Sequence, residues 1–145
     1  MIARWASPSE QAAVDAYRAM WAGLATAART AKPDHAAVRR YAADQALEAV
    51  VEAVRAHRRQ RRFVRGSVEL APDLIRVEPS QAPRSVTISD CVDARDWWWP
   101  GPGFGPASSG SADALGGRHR TTATVKLRGG RWVVTQLLID PAGSC

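Results

Sequence analysis

An aspartate on the apolar face of a predicted strand is the first candidate for chemistry in this chain. The segment Ser85–Asp93 alternates with a period of two, which places Asp90 on the same face as Val86 and Ile88. A buried carboxylate without a partner is energetically expensive. Asp90 therefore either turns out to water at a bulge or at the strand end, or lines a cavity, and the pattern leaves both interpretations open.

A histidine and a second acid lie opposite each other in a predicted C-terminal hairpin. The Gly-Gly pair at 129–130 is a turn signal between two alternating segments. Counting outward from this turn pairs His119 with Asp140. A histidine held by a carboxylate can act as a general base, whereas a solvent-exposed pair at the strand ends would do no chemistry.

The same count assigns the other hairpin residues to two faces. One face pairs Leu127 with Trp132, Val125 with Val134, Ala123 with Gln136, and Thr121 with Leu138. The opposite, outer face pairs Lys126 with Val133, Thr124 with Thr135, Thr122 with Leu137, and Arg120 with Ile139. This outer face is too apolar on the last strand to be left wholly in water, which predicts a partner there. The simplest partner is a second copy of the chain, in a homodimer that uses Val133, Thr135, Leu137 and Ile139.

The two cysteines, Cys91 and Cys145, allow two redox states. An even pair is consistent with a disulfide and an oxidising compartment, but two free thiols in a cytosolic protein would give the same sequence. Cys91 points to the outer face of its strand, and the tail after Asp140 is long enough, at about 3.3 Å per residue, to reach it. We expect an extracytoplasmic location if the pair is oxidised and a signal segment was removed, and a cytoplasmic one otherwise.

Composition predicts one soluble domain over residues 1–145. Hydrophobic residues make up 46% and charged residues 23%, and no apolar run approaches the roughly 20 residues of a membrane span. The net charge of +6 permits contact with nucleic acid, but the arginines within 55–65 are better explained as a helix end and a solvated strand start. Without a CxxC motif or a His/Cys cluster, neither a metal site nor a cofactor is predicted.

Three helices precede the strands. Ser7 and Glu10 form a capping box for a helix over Pro8–Thr30, a short helix follows at 34–41, and a third ends near Arg58. From residue 63 onward the period changes to two. Helices followed by antiparallel strands predict an α+β fold in which the helices pack on one sheet face.

A long segment rich in Trp, Pro, Gly and Ser separates two of the strands, at 97–117. A loop of this length is either functional or disordered, and we predict a flexible one. Its three tryptophans, at 97–99, either cap the core with alternate rings or form a stacking platform.

The order of one long helix, two shorter ones, a bent strand and a three-stranded meander resembles the nuclear-transport-factor-two-like superfamily, which includes ketosteroid isomerase and scytalone dehydratase. More narrowly, the Trp21 region and residues 90–93 and 143–145 resemble small actinobacterial secreted or lipoprotein-type domains of unknown function. The resemblance implies a cone-shaped, cystatin-like arrangement in which the helices and a curved sheet enclose a pocket.

The resemblance also implies where an active site would lie. It brings Asp90 near His119, with Asp140 across from His119, and makes these three residues the candidate catalytic group. The tyrosine-and-acid arrangement of the isomerases is not matched, because Tyr17 and Tyr41 both lie on predicted helices. The implied pocket lining is Trp21, Val86, Ile88, Val125, Trp132, Val134, Gln136 and Leu138.

Three hypotheses for function follow. The first is a non-catalytic domain whose pocket holds a small apolar ligand or is filled by its own side chains. The second is an assembly module of a larger complex, for example at the cell envelope, that uses the outer sheet face and residues 97–99. The third is an isomerase or hydrolase that uses Asp90 and His119.

Overall fold

Helices occupy the first part of the chain and strands the rest. The computed structural model describes residues 7–30, 32, 35–60, 63–64, 66–99 and 116–145. The helices in this part are α1 (Pro8–Thr30), α2 (Ala36–Arg40) and α3 (Asp44–Arg59). The strands are β1 (Phe63–Val64), β2 (Asp73–Glu78), β3 (Ser85–Asp93), β4 (Trp98–Trp99), β5 (Arg118–Arg128) and β6 (Arg131–Ile139). The predicted α+β class with N-terminal helices is confirmed, whereas most of the predicted loop at 97–117 lies outside the described residues.

Helix α1 begins at the predicted capping box. The Ser7 hydroxyl accepts from the Glu10 backbone N–H at 3.2 Å, and the Glu10 carboxylate accepts from the Ser7 N–H at 3.1 Å. The helix buries one stripe against the sheet, with Tyr17 and Trp21 at 0% and 2% exposure. The predicted bounds of this helix are confirmed.

Helix α2 lies unusually close to α1. A Cβ atom on Gly23 would lie only 2.4 Å from the backbone oxygen of Ala37, so this contact requires glycine. The helix is capped by His35, whose Nδ1 accepts from the Ala37 N–H at 3.1 Å. Asp34, the predicted cap, lies outside the described residues.

Four strands form an antiparallel sheet in the order β2-β3-β5-β6, and β1 pairs with β4 in a separate two-stranded sheet. The central pair, β3 and β5, is in register from Ser85 opposite Lys126 to Asp93 opposite Arg118. The inner face of the larger sheet packs against the helices and forms the core. Its most buried side chains include Val86, Ile88, Val92, Ala123, Val125 and Val134.

A β-bulge changes the register of the predicted hairpin. Near the turn, Leu127 pairs with Trp132 and Val125 with Val134, as predicted. The register then shifts between Thr124 and Val125, and Thr135 is the extra residue on β6. Beyond it the observed pairs are Thr124 with Gln136, Ala123 with Leu137, Thr122 with Leu138, and Thr121 with Ile139.

The bulge overturns the predicted orientation of several β6 residues. Leu137 points inward and is 2% exposed, whereas Gln136 and Leu138 lie on the outer face, with Leu138 52% exposed. The pairs predicted beyond the bulge are therefore wrong, because one inserted residue moves every later side chain to the other face. Gln136 and Leu138 do not line the interior, and the predicted homodimer face loses Leu137, which is buried within this chain.

The free edge of β6 is covered by the segment between α2 and α3. The Val134 N–H donates to the Tyr41 carbonyl oxygen at 2.8 Å, and the Ala43 N–H donates to the Val134 carbonyl oxygen at 2.9 Å. Further along, the Gln45 side-chain amide donates to the Leu137 carbonyl oxygen at 2.9 Å and accepts from the Leu137 N–H at 2.6 Å. These contacts occupy backbone groups that an edge strand would otherwise expose.

The C-terminal tail is fixed to the outer part of the sheet. Cys91 and Cys145 form a disulfide, with Cα atoms 5.9 Å apart. The Asp140 N–H also donates to the Arg120 carbonyl oxygen at 2.9 Å, and the Arg120 N–H donates to the Ser144 hydroxyl at 2.7 Å. The tail therefore continues along β5 after β6 has ended.

Within the described part of the chain, none of the helices combines the length and the apolar character that crossing a membrane requires.

Candidate functional site

Asp90 points into the interior, between the sheet and α1. It is 1% exposed, and its two carboxyl oxygens each accept one hydrogen bond. The Tyr17 hydroxyl donates to Oδ2 at 2.7 Å, and the Ala71 backbone N–H donates to Oδ1 at 2.8 Å. Of the two interpretations that the sequence leaves open, the turn to water is wrong. The carboxylate instead joins α1, β3 and the segment before β2.

The Tyr17 hydroxyl is held in its neutral form by this environment. Burial raises the pKa of Tyr17, and the negative charge of Asp90 and its hydrogen bond raise it further. The Trp21 indole N–H opposes this shift but does not reach hydrogen-bond geometry, so among the described residues it has no partner. The sequence places Tyr17 on a predicted helix, but no local signal pairs it with a strand residue 73 positions away.

His119 is fully buried and contacts two backbone carbonyl groups. Its Nδ1 lies 2.7 Å from the Asp140 carbonyl oxygen, and its Nε2 lies 2.6 Å from the Gly116 carbonyl oxygen. Asp140 itself is exposed. The prediction that an Asp140 carboxylate orients His119 is therefore wrong, because the backbone of Asp140 makes the contact. His119 anchors the tail and the start of β5.

Asp90 and His119 share one sheet face but not one hydrogen-bonded group. Asp90 lies opposite Thr121, and His119 lies opposite Val92 on the same inner face. Each is bonded to its own partners, and no hydrogen bond among the described residues joins them. Six of the predicted lining residues are buried in the hydrophobic core around them: Trp21, Val86, Ile88, Val125, Trp132 and Val134.

A groove lies elsewhere, on the outer side of the helical layer between α1 and α2. Its volume is about 460 Å³. It opens to solvent, because several of its residues are exposed, including Ala22 and Ala36. The α1 lining consists of Ala19, Ala22, Gly23 and Thr26, and the α2 side of His35, Ala36, Ala37, Arg40 and Tyr41. The sequence does not predict this groove, since small residues at helical spacing carry no chemical signature.

Two arginines contact the aromatic ring at one end of this groove. The guanidinium carbons of Arg40 and Arg131 lie 5.9 Å and 5.8 Å from the centroid of the Tyr41 ring. Arg131 also donates a hydrogen bond to the Arg40 carbonyl oxygen. These two arginines and the ring, which we call the Tyr41 clamp, join α2 to β6 across 91 residues of sequence.

In the part of the chain that the structure describes, the cations of the Tyr41 clamp are not paired with an acid. Among the described residues, neither Arg40 nor Arg131 forms an ion pair. Nearby Arg128 does, at 2.7 Å from the Asp44 carboxylate, and its hydrogen bond lowers the pKa of Asp44. The hydrogen bond from Arg95, with a smaller effect from Arg118, likewise lowers the pKa of Asp93. The clamp therefore differs from these two sites, because no ion pair is formed there among the described residues.

Metal binding has no geometric basis in the described residues, since no three of their His, Cys, Asp and Glu side chains form a group that could hold an ion. No model of a known family, no curated protein and no solved structure matches the chain.

Proposed function

We propose that this chain is a non-catalytic ligand-binding module and that its site is the groove between α1 and α2. The observation that carries the proposal is the groove itself, with a volume of about 460 Å³ and a lining of small apolar side chains. Pockets that bind small molecules typically have volumes of about 300–1,000 Å³ and place a few polar groups on an apolar surface. In this chain Arg40 and Tyr41 provide the polar groups.

The state of the interior acids and bases supports a binding role over catalysis. Asp90 and His119 are closed to solvent, and each is held by structural partners. A catalytic base must come within hydrogen-bond reach of a substrate proton, directly or through one water. Neither side chain offers a substrate that reach without opening of the core.

The resemblance to the nuclear-transport-factor-two-like superfamily belongs to the same proposal. The helices-first order and the four-stranded antiparallel sheet support it. A curved, cone-shaped sheet is the finer hypothesis. Under this hypothesis the interior pocket of that superfamily is filled here by core side chains, and binding has moved to the outer side of the helices.

A titration of the ¹⁵N-labelled full-length chain with 1-octanol tests the proposal. We expect amide shifts at Gly23 and Ala37 that saturate with alcohol concentration, because these residues line the groove. The variant Ala22→Phe fills the groove and should abolish the saturable shifts. Asp15→Phe, which adds the same ring to an exposed α1 position outside the groove, is the matched control. Shifts that Ala22→Phe leaves unchanged would reject the groove as the site.

A further inference from the structure

We propose that the ligand of this groove is an amphiphilic monoanion, a small carboxylate with an apolar tail, whose head group binds between Arg40 and Arg131 at the Tyr41 clamp. This inference rests on the proposed function and names its ligand class.

The positive charge at the clamp favours an anionic head group. Two guanidinium groups lie within 6 Å of one ring centroid, both arginines are exposed, and no described acid pairs with either. Two cations on one ring give this end of the groove an excess of positive charge, which attracts an anion. A guanidinium presents a planar fork of donors that matches a carboxylate in a bidentate contact, so a carboxylate is the head group that fits.

The backbone around the clamp fixes the positions from which the two arginines extend. Tyr41 is bonded to β6 through the Val134 N–H, and Arg131 donates to the Arg40 carbonyl oxygen. The end of α2 is thus tied to the edge of β6 at two points. Pre-positioned groups lose less conformational freedom when a ligand binds, which favours recognition at this end of the groove.

The lining of the groove is complementary to an apolar tail. From Arg40 and Tyr41 the groove extends along α1 past Ala19, Ala22 and Gly23. The polar His35 is partly occupied already, since its Nδ1 accepts from the Ala37 N–H. One charged end and one apolar length are complementary to a fatty-acid-like molecule rather than to a polyanion or a neutral sugar.

The test compares three probes on the oxidised full-length chain: octanoate, 1-octanol and acetate. Titrations by calorimetry and by ¹⁵N NMR, including the arginine Nε–Hε signals, should give octanoate roughly tenfold tighter binding than 1-octanol at low salt. Acetate should bind more weakly than octanoate, because it lacks the tail. The advantage of octanoate over 1-octanol should shrink as salt is raised, since the charges are exposed.

Single variants assign the effect to the clamp. Arg40→Gln and Arg131→Gln should each reduce the preference for octanoate over 1-octanol. Arg55→Gln removes an equal charge from an exposed position on α3 and should leave the preference unchanged. Circular dichroism of all three variants verifies that they are folded.

The outcomes separate this inference from the proposed function. Equal affinity for octanoate and 1-octanol, with both blocked by Ala22→Phe, would overturn the carboxylate inference and leave the binding module standing. The same follows if Arg40→Gln and Arg131→Gln keep the full preference. Equal binding of acetate and octanoate would show a surface anion site without a tail groove, and would overturn both. Absence of binding by all three probes would also overturn both.

Discussion

At the scale of single residues, the interior is organised by polar side chains that find their partners far away in sequence. The Asp90 carboxyl group is buried, yet each of its oxygens accepts a hydrogen bond, from Tyr17 and from Ala71. Such satisfied groups specify one arrangement of helix and sheet, because any other arrangement would leave a buried carboxylate without donors.

Alkaline pH should test the Tyr17 environment. Burial and Asp90 raise the pKa of Tyr17 in the folded chain, whereas a tyrosine in the unfolded chain titrates near pH 10. The contribution of the buried, protonated Tyr17 to the free energy of unfolding is therefore fully present below about pH 10. Above that pH it decreases, by up to about 1.4 kcal/mol per pH unit, because only the unfolded chain releases the proton.

Urea unfolding of the oxidised chain between pH 8 and pH 11.5 measures this effect. Above pH 10, the free energy of unfolding of Tyr17→Phe should fall less steeply with pH than that of the wild type. Equal slopes in wild type and Tyr17→Phe would contradict the assignment.

The sequence predicted the orientation of such residues only in part. The alternation of β3 correctly placed Asp90 on the apolar face, but two interpretations remained because its donors could not be read from the pattern. Tyr17 is separated from it by 73 residues and Ala71 by 19. A hydrogen bond over such distances depends on how α1 crosses the sheet, and a single sequence does not encode that angle in any local signal.

At the scale of elements, the edge of β6 is covered by the Gln45 side chain, which takes the place of a neighbouring strand. The Gln45 amide makes both the donor and the acceptor contact with Leu137 that a neighbouring strand would make. Edge strands that lack such cover are templates for pairing with other chains. Gln45 therefore contributes both to stability and to keeping the edge closed.

Removing this cover should have two measurable effects. Gln45→Ala should lower the free energy of unfolding by about 1–3 kcal/mol, because both backbone groups of Leu137 lose their partner. It should also increase self-association at high concentration, measured by sedimentation velocity. Gln11→Ala changes a glutamine whose side chain donates to Asp15 on the exposed face of α1, and serves as control. Stability equal to that of the control would argue against an edge-covering role.

Element boundaries were the most predictable part of this fold. The capping box gave the start of α1, and the glycine pair gave the turn between β5 and β6. The pairing was right up to the bulge and wrong after it. Thr135 carries no mark of a bulge, since a β-branched residue in an alternating segment is typical of a regular strand. The groove between α1 and α2 was likewise invisible, because it arises from the close approach at Gly23.

At the scale of the whole molecule, the Cys91–Cys145 bridge closes a loop across 54 residues of sequence. This loop includes β5 and β6 and therefore half of the larger sheet. In the chain-entropy model such a cross-link restricts the unfolded state and stabilises the folded one by about 4 kcal/mol. The pairing agrees with the one predicted from the length of the tail.

The double variant Cys91→Ala/Cys145→Ala should therefore unfold at lower urea concentration, with a loss of about 4 kcal/mol in the free energy of unfolding. Wild-type protein in reductant should unfold near the double variant, and reductant should not affect the variant itself. Labelling of denatured protein purified without reductant reports the thiols directly. Two reactive thiols in that sample would show that the bridge does not form.

Thr135 also determines how insertions and deletions would be tolerated. Deleting Thr135 would remove the bulge and leave Val134 opposite Val125 and Gln136 opposite Thr124 in a regular ladder, so the later β6 side chains would keep their faces. A deletion in the neighbouring turn at 129–130 would leave that assignment of faces free to recover by adjusting the loop. The strand can therefore lose this one residue and keep the same side chains inside, because the bulge holds the odd residue.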